Sequence, residues 1–119
     1  MFFYILYYIS RIYLLNDFNV NDFNMTKKKI YISGKMRGLE NYKTLFAEIE
    51  KKFQNEYNVM NPCRFEHTSD AWEERILHDL NIIKHCDVMY MLNNWKDSNG
   101  AQVEHYFAQG MGKEIIYQK

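Results

Sequence analysis

The stretch Asp87-Val88-Met89-Tyr90-Met91-Leu92 decides the fold of this chain. Every residue after the aspartate is apolar or aromatic, without the polar-apolar alternation of a strand that has one wet face. A short continuous apolar run of this kind is typical of a strand covered on both faces, as in a parallel sheet. The pattern therefore predicts a central strand with helices packed above and below it.

The segments around this strand alternate between strand and helix patterns. β-Branched and aromatic runs predict further strands at residues 29–33, 57–60 and 114–117, and helical spacing predicts helices at 41–56, 72–84 and 100–111. The resulting order β-α-β-α-β-α-β predicts an α/β fold with a doubly wound parallel sheet, flavodoxin-like or Rossmann-like, of four to five strands with helices on both faces. Ligands of such folds bind beyond the carboxyl ends of the strands, which here run into segments 34–38, 61–70 and 93–100.

The composition limits the classes of function. The 119 residues suffice for one domain, and fifteen Lys and Arg balance fifteen Asp and Glu, so no broad positive field favours a nucleic acid polymer as partner. The cysteines, Cys63 and Cys86, form no CxxC pair, and the four histidines form no HExxH-like ligand pattern. These features predict a reduced, cytoplasmic protein without a disulfide or a metal site.

The first 24 residues differ from the remainder because they contain no Gly, Pro, Lys or Glu. Their apolar run is interrupted by Ser10 and Arg11 and is too short to span a bilayer comfortably. Met25 is followed by Thr26 and three lysines, as at a natural protein start. We expect residues 1–24 to be an N-terminal extension outside the fold, translated from an upstream start codon, and residues 25–119 to form the domain. The alternative is a short interfacial membrane anchor, although no stable membrane association is expected.

The helix predicted at 100–111 carries one carboxylate, Glu104, on a stripe of otherwise apolar or small residues. The stripe comprises Gly100, Val103, Glu104, Phe107, Ala108 and Met111. A carboxylate that faces a core needs a partner or a chemical purpose, and the nearby helix start favours its ionised form. Such a group can attack the anomeric carbon of a sugar. The alternative is a glutamate at the edge of the stripe that reaches water or pairs with a lysine.

Asp79 is a second candidate, because it lies in the middle of a predicted helix between Leu77 and Leu80, where aspartate has poor propensity. Two carboxylates in different environments suit a reaction in which one attacks a sugar and the other protonates the departing base. The alternative is a solvated Asp79 beside Arg75 or Lys84.

A glycine-bounded turn follows the first strand. Gly34 and Gly38 let the backbone approach an anion, and Lys35 and Arg37 add positive charge, although the pattern is neither a P-loop nor GxGxxG. A plain connection between strand and helix fits the composition equally well. Ser98 is predicted either to cap the following helix or to bind a phosphate or hydroxyl group.

These features, in this order, resemble the nucleoside 2-deoxyribosyltransferase superfamily over about residues 29–117. The resemblance rests on Tyr31-Ile32-Ser33-Gly34-Lys35-Met36-Arg37-Gly38, on His78-Asp79-Leu80 with the strand entry Cys86-Asp87, and on Gly100-Ala101-Gln102-Val103-Glu104. The glycine turn and Ser98 are closer to the branch of 2′-deoxynucleoside 5′-monophosphate N-glycosidases, in which both bind the 5′-phosphate. The Ser-x-Gly-Ala-x-x-Glu arrangement also resembles small phage-borne members.

The resemblance implies cleavage or transfer at the N-glycosidic bond of a 2′-deoxynucleoside or its 5′-monophosphate, without a cofactor or metal. It implies Glu104 as nucleophile and Asp79 as acid and base. The implied substrate-binding residues are Tyr31, Gly34, Lys35, Met36, Arg37, Gly38, Asn61, Ser98 and Gly100. The implied partners are a small-molecule nucleoside or nucleotide and further copies of the chain, in a homodimer or larger homo-oligomer.

Two departures from the family pattern keep alternatives open. His105-Tyr106 follows the glutamate where relatives carry Leu-Gly or a similar pair, and this bulkier pair alters either the packing or the pocket. The sequence ends at Lys119, without the C-terminal extension that completes a neighbouring site in the transferases, which favours hydrolysis or a partner-assisted site. The alternatives are a transferase that exchanges free bases and a catalytically silent module that binds or senses nucleotides.

Overall fold

The computed structural model describes residues 27–119, so the predicted extension at 1–24 lies outside the described residues. The elements are β1 (Lys29–Ser33), α1 (Tyr42–Phe53), β2 (Asn58–Met60), α2 (Trp72–Lys84), β3 (Val88–Met91), α3 (Asn99–Gly110) and β4 (Glu114–Tyr117). Short 3-10 turns at Pro62–Arg64 and Trp95–Asp97 follow β2 and β3. None of the helices within residues 27–119 is long and apolar enough to cross a membrane.

The strands form one parallel sheet in the order β2-β1-β3-β4. Ile30 of β1 pairs with Val59 of β2 and with Val88 of β3, so β1 is central. The chain adds β2 on one side of β1 and then crosses back to add β3 and β4 on the other side. This order confirms the predicted doubly wound α/β fold and places its switch point between β1 and β3, where such folds bind ligands.

Both faces of the sheet are covered, as the apolar run of β3 predicts. Val88 and Tyr90 belong to a buried cluster with Phe46 and Ile49 of α1, whereas Met89 and Met91 face the opposite cluster. That opposite cluster includes buried residues of α2 and α3, namely Ile83, Ala101 and Ala108. Successive strand residues point to opposite faces, so an unbroken apolar run is required when both faces are dry. Burial of each large apolar side chain contributes roughly 1.5–3 kcal/mol.

The boundaries of the elements differ slightly from the sequence-based expectation. Helix α1 ends at Phe53 and not near Glu56, because the chain turns there to enter β2, with the Tyr57 amide donating to the Phe53 carbonyl at 3.0 Å. Asn41 lies at the N-cap position of α1, but its side chain makes no capping hydrogen bond. Helix α3 begins one residue earlier than predicted, at Asn99.

Gly34 directly follows β1 and packs against Leu92, the residue that follows β3. A Cβ atom at Gly34 would lie 2.5 Å from Leu92 Cδ1 and 2.8 Å from Leu92 Cβ, closer than packed carbon atoms approach. At Gly110, in the last turn of α3, an added Cβ would meet nothing within 4 Å. The two glycines therefore offer a matched pair for the same substitution.

We expect Gly34→Ala to lower the free energy of unfolding by about 1–3 kcal/mol through overpacking against Leu92. Gly110→Ala is expected to raise it by about 0.5–1 kcal/mol, because alanine is the better helix former. Urea denaturation of both variants and the parent chain measures the two changes. Equal effects of the two substitutions would contradict the role assigned to Gly34.

Candidate active site

Glu104 lies in the sixth position of α3 and is buried against the sheet, with 6% of the residue exposed. The buried residues of α3 are Ala101, Glu104, His105 and Ala108. The two alanines let the helix pack close to the strands, so the carboxylate reaches β1 directly. The buried face of α3 is rotated relative to the predicted stripe. Val103 and Met111 of that stripe are exposed, whereas Ala101 and His105, which lie outside it, are buried. The solvent-reaching alternative for Glu104 is wrong.

Two hydroxyl groups of β1 hold the carboxylate. Tyr31 donates a hydrogen bond from its hydroxyl to Oε2 of Glu104 at 2.7 Å, and Ser33 donates from Oγ to Oε1 at 2.7 Å. Tyr31 and Ser33 are two residues apart on a strand, so their side chains leave the same face of the sheet. Short hydrogen bonds to an ionised acceptor are among the stronger ones in proteins. Each oxygen of Glu104 therefore has its own neutral donor.

Burial raises the pKa of Glu104 to about 7, while the hydroxyls of Tyr31 and Ser33 act in the opposite direction and the charge of Asp79 adds to the rise. The free amides at the start of α3 stabilise the ionised form of Glu104 only weakly, because Glu104 lies beyond the first turn of the helix. Near neutral pH the group exists in both ionised and protonated forms. It can act as a nucleophile or transfer a proton within the physiological range.

Tyr31 positions Glu104 and does not line an open pocket. Its side chain is fully buried, and burial followed by the charge of Glu104 raises its pKa well above the ordinary value. The phenol therefore stays protonated and remains a donor. Ser33 was not predicted as a site residue, although a hydroxyl two positions after Tyr31 in an apolar strand could have indicated it.

Asp79 lies on α2 with 15% of its side chain exposed. Its Oδ1 atom is 3.3 Å from Nδ1 of His78 and 3.9 Å from Nε2 of His67. Burial raises the pKa of Asp79, and the hydrogen bond from His78 opposes that rise. The structure places Asp79 near enough for its charge to act on both Glu104 and Tyr31. Asp79 is therefore partly buried and not fully solvated, although Arg75 acts on it by charge as the alternative expects, and neither histidine was predicted at this site.

The glycine turn after β1 is joined to the loop after β3. The Lys35 amide donates to Oδ1 of Asn94 at 2.9 Å, which links the two loops across the switch point of the sheet. Gly38 has φ +84°, a left-handed conformation that favours glycine, and it is exposed together with Arg37. Met36 packs against the apolar cluster beneath α1, so its contacts are those of a packing residue.

Three other predicted residues have structural contacts. Ser98 caps α3 by accepting a hydrogen bond from the Ala101 amide at 3.2 Å, which confirms the capping interpretation. Asn61 is buried, and its Oδ1 accepts from the Cys63 amide at 3.0 Å. Gly100 faces α2, where an added Cβ would make an ordinary contact with Ile76 at 3.6 Å. The predicted ligand-binding roles of these three residues stay predictions.

The two residues of the unusual pair after Glu104 lie in different environments. His105 stacks on Trp95 with ring centroids 4.1 Å apart, and its Nε2 atom lies 2.7 Å from the Tyr117 hydroxyl. Tyr106 is 61% exposed. Successive helix residues differ by about 100° in direction, so His105 packs beside β4 and not against Tyr31. His105 therefore changes the packing, whereas Tyr106 lines a cavity together with Trp72 and Leu80.

The fold is similar to that of a solved structure, the 2-desoxiribosyltransferase from Leishmania mexicana, with a TM-score of 0.61. The sequence identity is 16%, and the match covers 76% of this chain but only 63% of that chain. This likeness is one of fold, and that fold belongs to an enzyme. A comparison with curated protein sequences found no match.

The family comparison covers most of the chain. A family described as "Domain of unknown function (DUF4406)" matches residues 28–117. This range includes all the strands and helices described above, together with Asp79 and Glu104. The chain therefore belongs to the DUF4406 family.

Proposed function

We propose that the chain cleaves or transfers at the N-glycosidic bond of 2′-deoxynucleosides or their 5′-monophosphates. The observation that carries the proposal is the buried carboxylate of Glu104, held by the hydroxyls of Tyr31 and Ser33 at the switch point of the sheet. A fold shared with a 2-desoxiribosyltransferase supports the same class of reaction.

Glu104 is the nucleophile of the proposed reaction. In its ionised form it attacks C1′ of the deoxyribose, the bond from C1′ to the base nitrogen breaks, and a glycosyl ester forms on the carboxylate. The electron pair of the broken bond leaves with the base. Water or a second base then attacks C1′, which releases the deoxyribosyl group and restores the Glu104 carboxylate.

Asp79 supplies the proton that the departing base requires. Its raised pKa, caused first by burial, increases the protonated fraction near neutral pH. The two carboxylates differ in their partners: Glu104 accepts from two neutral hydroxyls, whereas Asp79 lies beside two imidazoles. The different environments suit different roles, one for attack and one for proton transfer.

The glycine turn and the start of α3 hold the 5′-phosphate in this proposal. Lys35 and Arg37 supply positive charge, and Gly38 opens the turn through its left-handed backbone. The hydrogen bond from the Lys35 amide to Asn94 fixes this turn relative to the loop that leads to Ser98. Both phosphate-binding segments therefore lie at one edge of the sheet.

Chromatography of free-base release from a panel of deoxynucleosides and their 5′-monophosphates tests the proposal. Release from the monophosphates alone assigns a role to the phosphate-binding turn, and a new nucleoside formed in the presence of a second base identifies transfer. Binding of deoxynucleotides with no base release across the panel would contradict the proposed chemistry and favour a silent binding module.

Removal of one hydroxyl donor is expected to shift the pH profile of this reaction. In Tyr31→Phe the carboxylate loses a hydrogen bond that stabilises its ionised form, so the pKa of Glu104 rises further above its ordinary value. The acidic limb of kcat/KM moves to higher pH, and the rate at pH 7 falls about tenfold for each unit of that movement. The rate recovers as the pH is raised.

Tyr90→Phe is the matched control, because Tyr90 is also a buried tyrosine of the sheet but lies in the cluster beneath α1. Its substitution should leave the pH profile in place. For both variants, kcat/KM for base release is measured from about pH 5 to 9. A profile of Tyr31→Phe that coincides with that of Tyr90→Phe would show that the phenol does not act on Glu104.

A further inference from the structure

A group of three potential metal ligands lies beside the proposed active site. One nitrogen each of His67 and His78 and one carboxylate oxygen of Asp79 lie within 4.8 Å of one another. We propose that these three side chains bind a divalent transition-metal ion of the zinc type.

The donor set determines the kind of metal. Two imidazoles and one carboxylate suit Zn²⁺, Co²⁺ or Ni²⁺, whereas Mg²⁺ and Ca²⁺ favour sites made of oxygen ligands. Three protein ligands leave a fourth position open on a tetrahedral ion, as in zinc sites that exchange ligands. The group therefore has the composition of an accessible zinc site.

The distances are close to those that such an ion requires. Ligand atoms about 2.0–2.1 Å from a tetrahedral ion are separated from one another by roughly 3.3–3.5 Å. His78 Nδ1 is 3.3 Å from Asp79 Oδ1, and His67 Nε2 is 3.9 Å from the same oxygen. The His78–Asp79 pair already has this spacing, whereas the His67 nitrogen, within 4.8 Å of both other atoms, must move closer for all three to bind one ion.

The two elements that carry the ligands suit capture of an ion. His78 and Asp79 are fixed on α2, whereas His67 comes from the segment between the turn Pro62–Arg64 and that helix. The side chain of His78 is 46% exposed, so an ion can enter from solvent. Phe65 borders the group on its inner side, with its ring 6.0 Å from that of His78 and 6.1 Å from that of Tyr31. An apolar neighbour of this kind limits the access of water to the inner side of the group.

The ion has a consequence for catalysis that rests on the proposed function. An ion bound by this group occupies Oδ1 of Asp79, which is the side chain that the proposed function assigns to the departing base. Metal binding and base release are therefore competing states of the same side chain, and Zn²⁺ is expected to inhibit base release reversibly. The binding itself does not depend on the reaction.

Titration of the full chain with Co²⁺, followed by visible absorption, tests the site directly. A tetrahedral Co²⁺ spectrum without a thiolate charge-transfer band is expected, and Zn²⁺ should displace it. His67→Ala and His78→Ala should each weaken binding by at least about tenfold. His85→Ala is the matched control, because His85 is an exposed histidine at the end of α2 outside the group, and it should retain parent affinity.

The result that overturns the inference is the absence of this spectrum, or loss of affinity in His85→Ala equal to that in His67→Ala. Inhibition is measured separately, as Zn²⁺-dependent loss of base release that a chelator reverses in the parent chain and that requires higher Zn²⁺ in His67→Ala. A chain that binds Co²⁺ but releases no base from any substrate refutes the proposed function and leaves the metal site standing. A chain that releases base without binding Co²⁺ refutes the metal site alone.

Discussion

Glu104→Gln is expected to lower the rate of base release by at least about three orders of magnitude, because an amide cannot attack C1′. Glutamine has the shape of glutamate and can keep both contacts seen at this position. Its oxygen accepts from the Tyr31 hydroxyl, and its amide group donates to Oγ of Ser33. The loss of activity should therefore occur in a folded protein whose site is otherwise intact.

Glu48→Gln provides the control, since Glu48 is an exposed residue of α1 and α1 covers the opposite face of the sheet. It makes the same chemical change far from Tyr31 and should retain parent activity. Single-turnover base release and circular dichroism are measured for both variants. Retention of a tenth or more of the parent rate by Glu104→Gln would remove Glu104 from the role of nucleophile.

The fold could be predicted from the sequence because its strongest constraint is local. The apolar run of β3 requires cover on both faces, and the alternation of strand and helix patterns restricts the topology to a parallel sheet. Helix α2 was predicted to end at Lys84, as observed, because its apolar spacing is continuous over the whole helix. The small errors at α1 and α3 arose where the chain turns, since turn geometry depends on neighbouring elements.

The site could be predicted only in part, because its decisive contacts join residues distant in sequence. Glu104 stood out as a charged residue on an apolar helix face, and Asp79 as an aspartate in a helix interior. The contact between Ser33 and Glu104 spans 71 positions and depends on how closely α3 packs on β1. Helical periodicity does not contain that information, which is also why the buried face of α3 was predicted out of phase.

The histidines beside Asp79 show the same limitation more clearly. His67 and His78 are separated in sequence by a loop and the first part of α2, so they form no recognisable ligand spacing. The conformation of the loop after β2 brings them together, with ring centroids 5.0 Å apart. A sequence without a metal motif therefore gave a structure with a potential metal site.

The buried carboxylate should also control how stability depends on pH. An unfolded glutamate has a pKa of 4.5, whereas burial raises the pKa of Glu104 to about 7 in the folded chain. Between these values the folded state binds more protons than the unfolded state, so the contribution of Glu104 to stability decreases as pH rises. Above pH 7 both states are ionised at this position, and the cost is constant at about 3 kcal/mol, from roughly 1.4 kcal/mol for each unit of pKa.

Glu104→Gln removes this titration and should therefore be more stable than the parent chain at high pH. The difference in the free energy of unfolding is expected to be near zero where the parent carboxyl is protonated in both states, and to grow to about 3 kcal/mol above pH 7. Urea denaturation of the parent and the variant across about pH 4 to 8 measures it, because the titrating groups distant from Glu104 contribute equally to both chains. Glu48→Gln should show no such divergence. Parallel stability curves for Glu104→Gln and the parent would mean that Glu104 titrates normally in the folded protein, and that the nucleophile is ionised throughout the neutral range.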